Sequence, residues 1–248
     1  MTEPCGPERE STVPSTDRRA WQDVLARIEG DLVAGTIGPG DRLPPERTLA
    51  TELGVGRSSV REALRVLEVL GLIRTQTGSG PQAGAIVVAR PSGGMAALMR
   101  LHVAAGGFDV ADVVATRLVL ESAVVTALAE SRAVDLTAPA ELLTAMDGEL
   151  TTAEFLAIDA AFHVSLAAAS GNDVIAAVMT GLRSSVEGYV LAGAAFLPSW
   201  ELMAQRLRAE HRAIVAAVES RDAPLARTLV HDHITGYYAD SKLAPLER

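Results

Sequence analysis

Leu43-Pro-Pro-Glu-Arg-Thr-Leu-Ala50 followed by Leu53-Gly-Val-Gly-Arg-Ser-Ser-Val-Arg-Glu-Ala-Leu64 is the stretch that decides how this chain folds. Its prolines open a short helix, a position where proline is tolerated because a first-turn N–H has no helical partner. That helix ends near Leu53, and Gly54-Val55-Gly56 makes a tight turn. A second helix spans 57–70, with Val60, Ala63, Leu64, Leu67 and Leu70 on its apolar back and Gly71 as its stop. Upstream, residues 18–34 read as a helix through Trp21, Val24, Leu25, Ile28 and Leu32, broken by Gly35-Thr-Ile-Gly-Pro-Gly40. Downstream, 72–76 and 85–89 are strand-like and flank a turn over 77–84, which makes a hairpin with a long tip. Helix, turn, helix and hairpin outline a winged helix-turn-helix over 18–90, preceded by an acidic, proline-containing lead-in over 1–17 that reads as disordered.

Charge agrees with a nucleic-acid role for this segment alone. The 248 residues carry a net charge of -9, which argues against a protein that coats nucleic acid. Residues 91–248 hold 11 basic and 19 acidic groups, whereas 42–74 hold six arginines against four glutamates. A helix that enters the major groove, about 12 Å wide, needs small residues and arginines at its start. Arg57-Ser58-Ser59 supplies them, and Arg61, four residues after Arg57, shares the same face. Arg47 on the preceding helix is within reach of a phosphate or a base, and Thr77-Gly78 at the hairpin tip is small enough for a minor groove. The plainer alternative is a solvated helical face with surface arginines.

The same residues resemble the GntR-type repressor domain. The motif comprises Gly38-Pro-Gly-Asp-Arg-Leu43, the stretch 43–57, Ser59-Val-Arg-Glu-Ala-Leu64, Leu67 and Leu70-Gly-Leu-Ile73. The resemblance covers about residues 20–90 and implies DNA contacts from Arg47, Arg57, Ser58, Ser59, Arg61, Thr77 and Gly78. Arg57 and Arg61 suit guanine, and the serines suit phosphates. Two departures stand out. Gly56 occupies a position where the family usually has serine or threonine, which weakens the cap of the recognition helix. The wing segment 77–84 is longer than the usual glycine tip.

Pro91-Ser-Gly-Gly94 is the linker, and everything from 95 to 240 is helical, with a tail over 241–248. Helices are predicted at 95–105, 109–133, 138–149, 152–169, 173–194, 199–220 and 223–240, one of them opened by the capping box Thr151-Thr-Ala-Glu154. Ionisable residues fall on the apolar stripes of three. Asp159 and His163 sit with Phe155, Phe162 and Leu166, one turn apart and so able to grip one ion. His211 sits among Leu207, Ile214, Val215 and Val218. His233 sits among Ala226, Leu229, Val230, Ile234 and Tyr237, while His231 faces elsewhere. A buried carboxylate is costly unless paired, hydrogen-bonded or metal-bound. Separate core histidines, each satisfied by a hydrogen bond, are the alternative; four such residues together point to a metal.

Asp159-x-x-Phe162-His163, Glu210-His211-x-x-Ile214-x-Ala216-Ala217 and His233-Ile234 resemble the metal-binding version of the FadR C-terminal effector domain (FCD), over about residues 95–240. The resemblance implies an all-helical bundle whose cavity holds a divalent ion and a small organic acid. Three imidazoles and a carboxylate suit zinc, nickel or another late transition ion with open positions. It also places an arginine at the Arg117 position near the effector; an Arg117–Glu121 pair on the helix is the alternative. Arg183, between Met179 and Val186, is a second candidate, with a rim position as its alternative. Asn172 reads as a helix cap, Trp21 as core of the first helix, and Tyr237 and Tyr238 as packing residues.

The fold expected is mainly α, a winged helix-turn-helix joined to a helical bundle. The function expected is a transcription regulator that binds double-stranded operator DNA as a homodimer, under control of a carboxylate effector. The rival is a metal-dependent enzyme acting on a small organic acid. No general base is apparent for it: Glu210 lies about 100° around the helix from His211. Cys5 is the only cysteine, which excludes an internal disulfide and fits a reducing cytoplasm. No uncharged apolar stretch approaches the ~18 residues of a membrane span.

Overall fold

The computed structural model describes residues 17–76, 84–88 and 93–241. The chain divides into two units, Met1–Ser92 and Gly93–Arg248.

In the first unit, α1 (Asp17–Val33), α2 (Glu46–Leu53) and α3 (Arg57–Val69) precede the antiparallel pair β1 (Ile73–Gln76) and β2 (Gly84–Val87). The pairing runs from Ile73 opposite Val87 to Gln76 opposite Gly84. Val24 and Ile28 of α1, Leu49 of α2, and Val60, Ala63 and Leu67 of α3 bury one core with Ile73 and Val87. Trp21 packs against it, partly buried. α2 opens one residue later than its prolines suggest, with Pro45 as N-cap, because the Thr48 and Leu49 N–H groups already bond its carbonyl. Gly54 ends α2 at φ 65°, a left-handed conformation that glycine adopts without strain. Gly56 is the N-cap of α3 and offers no side-chain hydrogen bond, as its identity dictates. The expected wing contacts Thr77 and Gly78 lie outside the described residues.

The second unit is built from α4 (Gly94–Ala104), α5 (Val110–Glu130), α6 (Thr137–Ala145), α7 (Thr152–Ala169), α8 (Asp173–Ala194), α9 (Trp200–Glu219) and α10 (Ala223–Asp240). Side-chain caps set most starts: Asp109, Asn172, Ser199 and Asp222 each accept from a first-turn N–H, and Thr151 with Glu154 closes a capping box. Two expected ends move. The helix expected at 138–149 stops at Ala145, where Asp147 and Gly148 bond carbonyls three residues back in a tightening turn. The buried Met146 had prolonged its apolar pattern. The helix expected at 109–133 stops at Glu130, because Ser131 is extended.

α4 packs on α8, α8 on α7, and α9 on α10, while α5 touches α7, α8, α9 and α10. Phe155, Phe162, Leu166, Met179, Leu207, Ile214, Val230 and Ile234 fill the space between them. α7 and α8 are long and apolar enough in composition to cross a membrane. Each carries a charge that is paired within the unit, Asp159 on α7 and Arg183 on α8.

Candidate metal centre and nucleic-acid interface

α7, α9 and α10 turn their ionisable residues toward one point. His163 Nε2 lies 3.1 Å from His233 Nε2, and His211 Nε2 lies 3.2 Å from the same atom. Asp159 Oδ1 is 3.0 Å from His211 Nε2 and 3.8 Å from His163 Nε2. One ligand atom from each of the four residues lies within 4.8 Å of the other three, and all four residues are buried, His211 completely. A cation with bonds of ~2.1 Å has ligand–ligand edges of about 3.0 Å at right angles and about 3.4 Å at the tetrahedral angle, so the donor spacing fits one ion.

The far side of each ring supports the same reading. His233 Nδ1 is 2.8 Å from Glu210 Oε2. His163 Nδ1 is 2.5 Å from Glu121 Oε2, though poorly aligned for a hydrogen bond, and His211 Nδ1 has no hydrogen-bond partner. A proton on Nδ1 facing a carboxylate leaves the Nε2 lone pair bare, which is how carboxylates orient metal-ligating imidazoles. Bare lone pairs 3.1–3.2 Å apart repel unless a proton or a cation lies among them. The donor set therefore fits a divalent ion.

For His233 and Asp159 the surroundings favour the protonation state that metal binding needs. Burial, reinforced by His211, pushes His233 down to about 3, against the opposing pull of Asp159 and Glu121. Burial alone would raise Asp159, but Arg183 and His211 outweigh it and hold the carboxyl below the usual carboxylate range. Glu210, half-buried, is raised by burial against the pull of Arg206.

Two arginines complete the centre. Arg117 Nε donates to Glu121 Oε1 at 3.0 Å and Nη1 donates to Tyr238 Oη at 3.0 Å, so the Arg117–Glu121 pair is realised and Tyr238 does more than pack. Tyr237 Oη donates to the Val190 carbonyl. Arg183 is not a rim residue. It is 7% exposed, and its Nη1 donates to Asp159 Oδ2 at 3.1 Å. A small cavity of about 20 Å³ lies among Arg117, Asp159, Arg183, His233, Tyr237 and Tyr238. A larger groove of about 320 Å³ between α7 and α8 also has Asp159 and Arg183 in its lining.

The sequence located the four converging residues but missed their partners. Glu210 does point away from His211, yet it reaches His233 on the neighbouring helix. Its signal was a carboxylate beside a core histidine, and only the rotation of α10 reveals which ring it serves. Of the expected DNA contacts, Arg47, Arg57, Ser58 and Arg61 are exposed. Arg61 Nε is 3.0 Å from Glu46 Oε2, an ion pair between α3 and the start of α2. Ser59 is 4% exposed and does not fit a phosphate contact, since it lies on the inner side of α3 beside Val60.

Residues 112–236 match the family model of the FCD domain, and residues 21–81 match that of bacterial regulatory proteins of the gntR family. The chain is 31% identical over 221 residues to the HTH-type transcriptional regulator LutR of Bacillus subtilis, covering 84% of this chain and 97% of LutR. It is 32% identical over 238 residues to the HTH-type transcriptional repressor NanR of Cronobacter sakazakii, covering 91% of this chain and 86% of that protein. Among solved structures it resembles a GntR protein of Streptococcus agalactiae. The TM-score is 0.61 at 22% identity, over 87% of this chain and 98% of that one, a likeness of fold.

Proposed function

The chain belongs to the gntR family of bacterial regulatory proteins and carries an FCD domain; from that premise we propose that this DNA-binding transcription regulator changes its operator affinity when a small carboxylate binds at a divalent ion in the helical unit. The relatives are regulators rather than enzymes, and so is this chain. Glu121, the carboxylate nearest the cluster that could serve as a base, already faces Arg117 and His163 through its two oxygens.

The observation that carries the metal reading is the convergence of His163, His211 and His233 Nε2 with Asp159 Oδ1. Zinc is the ion we favour, with nickel also suited to the donors; such an ion acts as a Lewis acid with positions open to a carboxylate oxygen. The charges around the cluster support an anionic effector. Arg117 and Arg183 are balanced by Glu121 and Asp159, so a divalent ion leaves an excess of two positive charges in a buried site. Such an excess is costly until an anion enters. Arg117 and Arg183, both lining the small cavity, are the effector-binding residues of this reading.

On DNA, Arg57 and Arg61 of α3 read base edges while Arg47 and Ser58 position the backbone, with Thr77 and Gly78 on the wing. One winged module offers few contacts, so the regulator works as a homodimer on a two-fold operator in the cytoplasm. The effector acts only by binding one arrangement of that dimer better than the other.

A thermal-shift panel of small carboxylates, run with zinc and with chelator, tests this reading. Binding to the native state raises the midpoint by mass action. A carboxylate that stabilises only in the presence of zinc, and that shifts operator affinity in a gel assay, supports the proposal. Stabilisation indifferent to chelator removes the metal from it.

A further inference from the structure

A carboxylate stands beside an arginine of the recognition helix, where it would repel phosphates. On the reading that Arg61 contacts a base edge, we propose that Glu46 is the positioning residue for that contact: it holds the Arg61 guanidinium by one side so that the other side meets a guanine.

Both ends of the pair are anchored. Glu46 opens α2 directly behind Pro44 and Pro45, and the Thr48 and Leu49 N–H groups bond the Pro45 carbonyl. Proline fixes φ near −65°, so the backbone that leads into Glu46 has little freedom. Arg61 lies in the second turn of α3, next to the fully buried Val60. Between these points Arg61 Nε donates to Glu46 Oε2 at 3.0 Å. The two Nη atoms of Arg61 make no hydrogen bond to any described residue. A guanidinium is a planar, rigid fork of N–H donors. With Nε engaged by a carboxylate, the Nη1/Nη2 edge is left to face the paired O6 and N7 acceptors of guanine.

The neighbouring arginines lack this support. Arg47 and Arg57 are exposed, and their side chains make no hydrogen bond or ion pair among the described residues. Such arginines are drawn to any phosphate and take up their orientation on the DNA. Arg61 differs on both counts. Its charge is balanced by Glu46, which weakens its attraction to phosphates in general. Its direction is set before DNA arrives, which reduces the rotamer freedom lost on contact. At side-chain exposures of 55% and 35% the pair adds little to stability. What it supplies is direction.

The test is fluorescence anisotropy of the full chain on three kinds of duplex: one that the wild type selects from a random-sequence library, each single base-pair variant of it, and a random-sequence duplex. Arg61→Ala is expected to abolish a guanine preference of about 5- to 150-fold at one position of each half-site. Glu46→Gln is expected to lower that one preference about two- to fivefold, the worth of an exposed ion pair. It is also expected to tighten binding to the random duplex, as Glu62→Gln, exposed on α3, does by the same change of charge without altering base preference. Glu46→Asp keeps the charge in the first turn of α2 and draws it back from Arg61 by one methylene, so the same loss of preference is expected. In an Arg61→Ala background, Glu46→Gln is expected to change no base preference, because its effect runs through Arg61. Wild-type preference in both Glu46 variants, with preference lost in Arg61→Ala, overturns the positioning role and leaves Arg61 a base reader. Tighter operator binding by Glu46→Gln at undiminished preference makes the pair a contact that DNA breaks, and overturns the role. A loss that persists in the Arg61→Ala background, or that spreads evenly over all positions, assigns Glu46 to the stability of α2 and overturns it as well. An Arg61→Ala variant with wild-type preference at every position overturns the underlying reading of Arg61, and the proposal with it.

Discussion

Replacing Glu210 by Gln isolates what a carboxylate behind a histidine does for the cluster. Glu210 Oε2 lies 2.8 Å from His233 Nδ1, and its Oε1 forms an ion pair with Arg206 Nε at 3.1 Å. Glutamine keeps the shape of the side chain and one acceptor oxygen, but it removes the negative charge that fixes the Nδ1 proton and makes Nε2 more basic. Loss of such a partner weakens metal binding about 10- to 100-fold, or ~1.4–2.7 kcal/mol. The helical fold is expected to survive, because the Glu210 side chain is 28% exposed and Arg206 also pairs with Asp240. The assay is a competition titration of zinc against a chromophoric chelator at neutral pH, with Glu201→Gln, exposed on the same helix, as control. A dissociation constant for Glu210→Gln within twofold of wild type would refute the argument that Glu210 orients His233.

Four further outcomes are expected of the same molecule. His233 is pushed down to about 3 from its ordinary 6.5, so between those values the unfolded chain binds more protons than the folded one and stability falls as pH falls. The metal-free protein is expected to lose ~2 kcal/mol between pH 7.5 and pH 5, read by urea titration at each pH; a flat profile contradicts the burial of a neutral His233. Arg57→Ala is expected to weaken operator binding by ~1–3 kcal/mol and relax base preference at one position. Ser58→Ala should weaken binding evenly across sequences while Ser59→Ala leaves it unchanged, and fluorescence anisotropy at several salt concentrations separates these cases. Thr151→Ala removes the capping box of α7 and is expected to cost ~1 kcal/mol. At ~2–4 °C per kcal/mol for a chain of this size, calorimetry resolves the shift, and an unmoved midpoint would show the cap to be idle.

The helices of the second unit were legible because long apolar periodicity and capping residues agree. Thr151 with Glu154, Asn172 and Asp222 mark three starts to the residue. Boundaries failed where burial outlasts the helix, as at Met146, whose apolar side chain belongs to the core although the backbone has begun to turn. The cluster was legible for a different reason: a histidine or an aspartate on a core stripe demands compensation, and four such residues on three helices share it. What sequence does not encode locally is which side chain meets which across a helix interface. Glu121 facing His163, Glu210 facing His233 and Arg183 bound to Asp159 all depend on relative helix rotation. Ser59 was misplaced because the start of α3 offers two serines and only one of them, Ser58, stays at the surface.

Cobalt titration of the metal-free full chain tests most directly whether His163, His211, His233 and Asp159 hold a cation. The account predicts a visible spectrum that saturates at one equivalent per chain, is displaced by zinc, and is absent from a His163→Ala, His211→Ala double variant that retains its helical circular dichroism. A double variant that binds cobalt as the wild type does would contradict it.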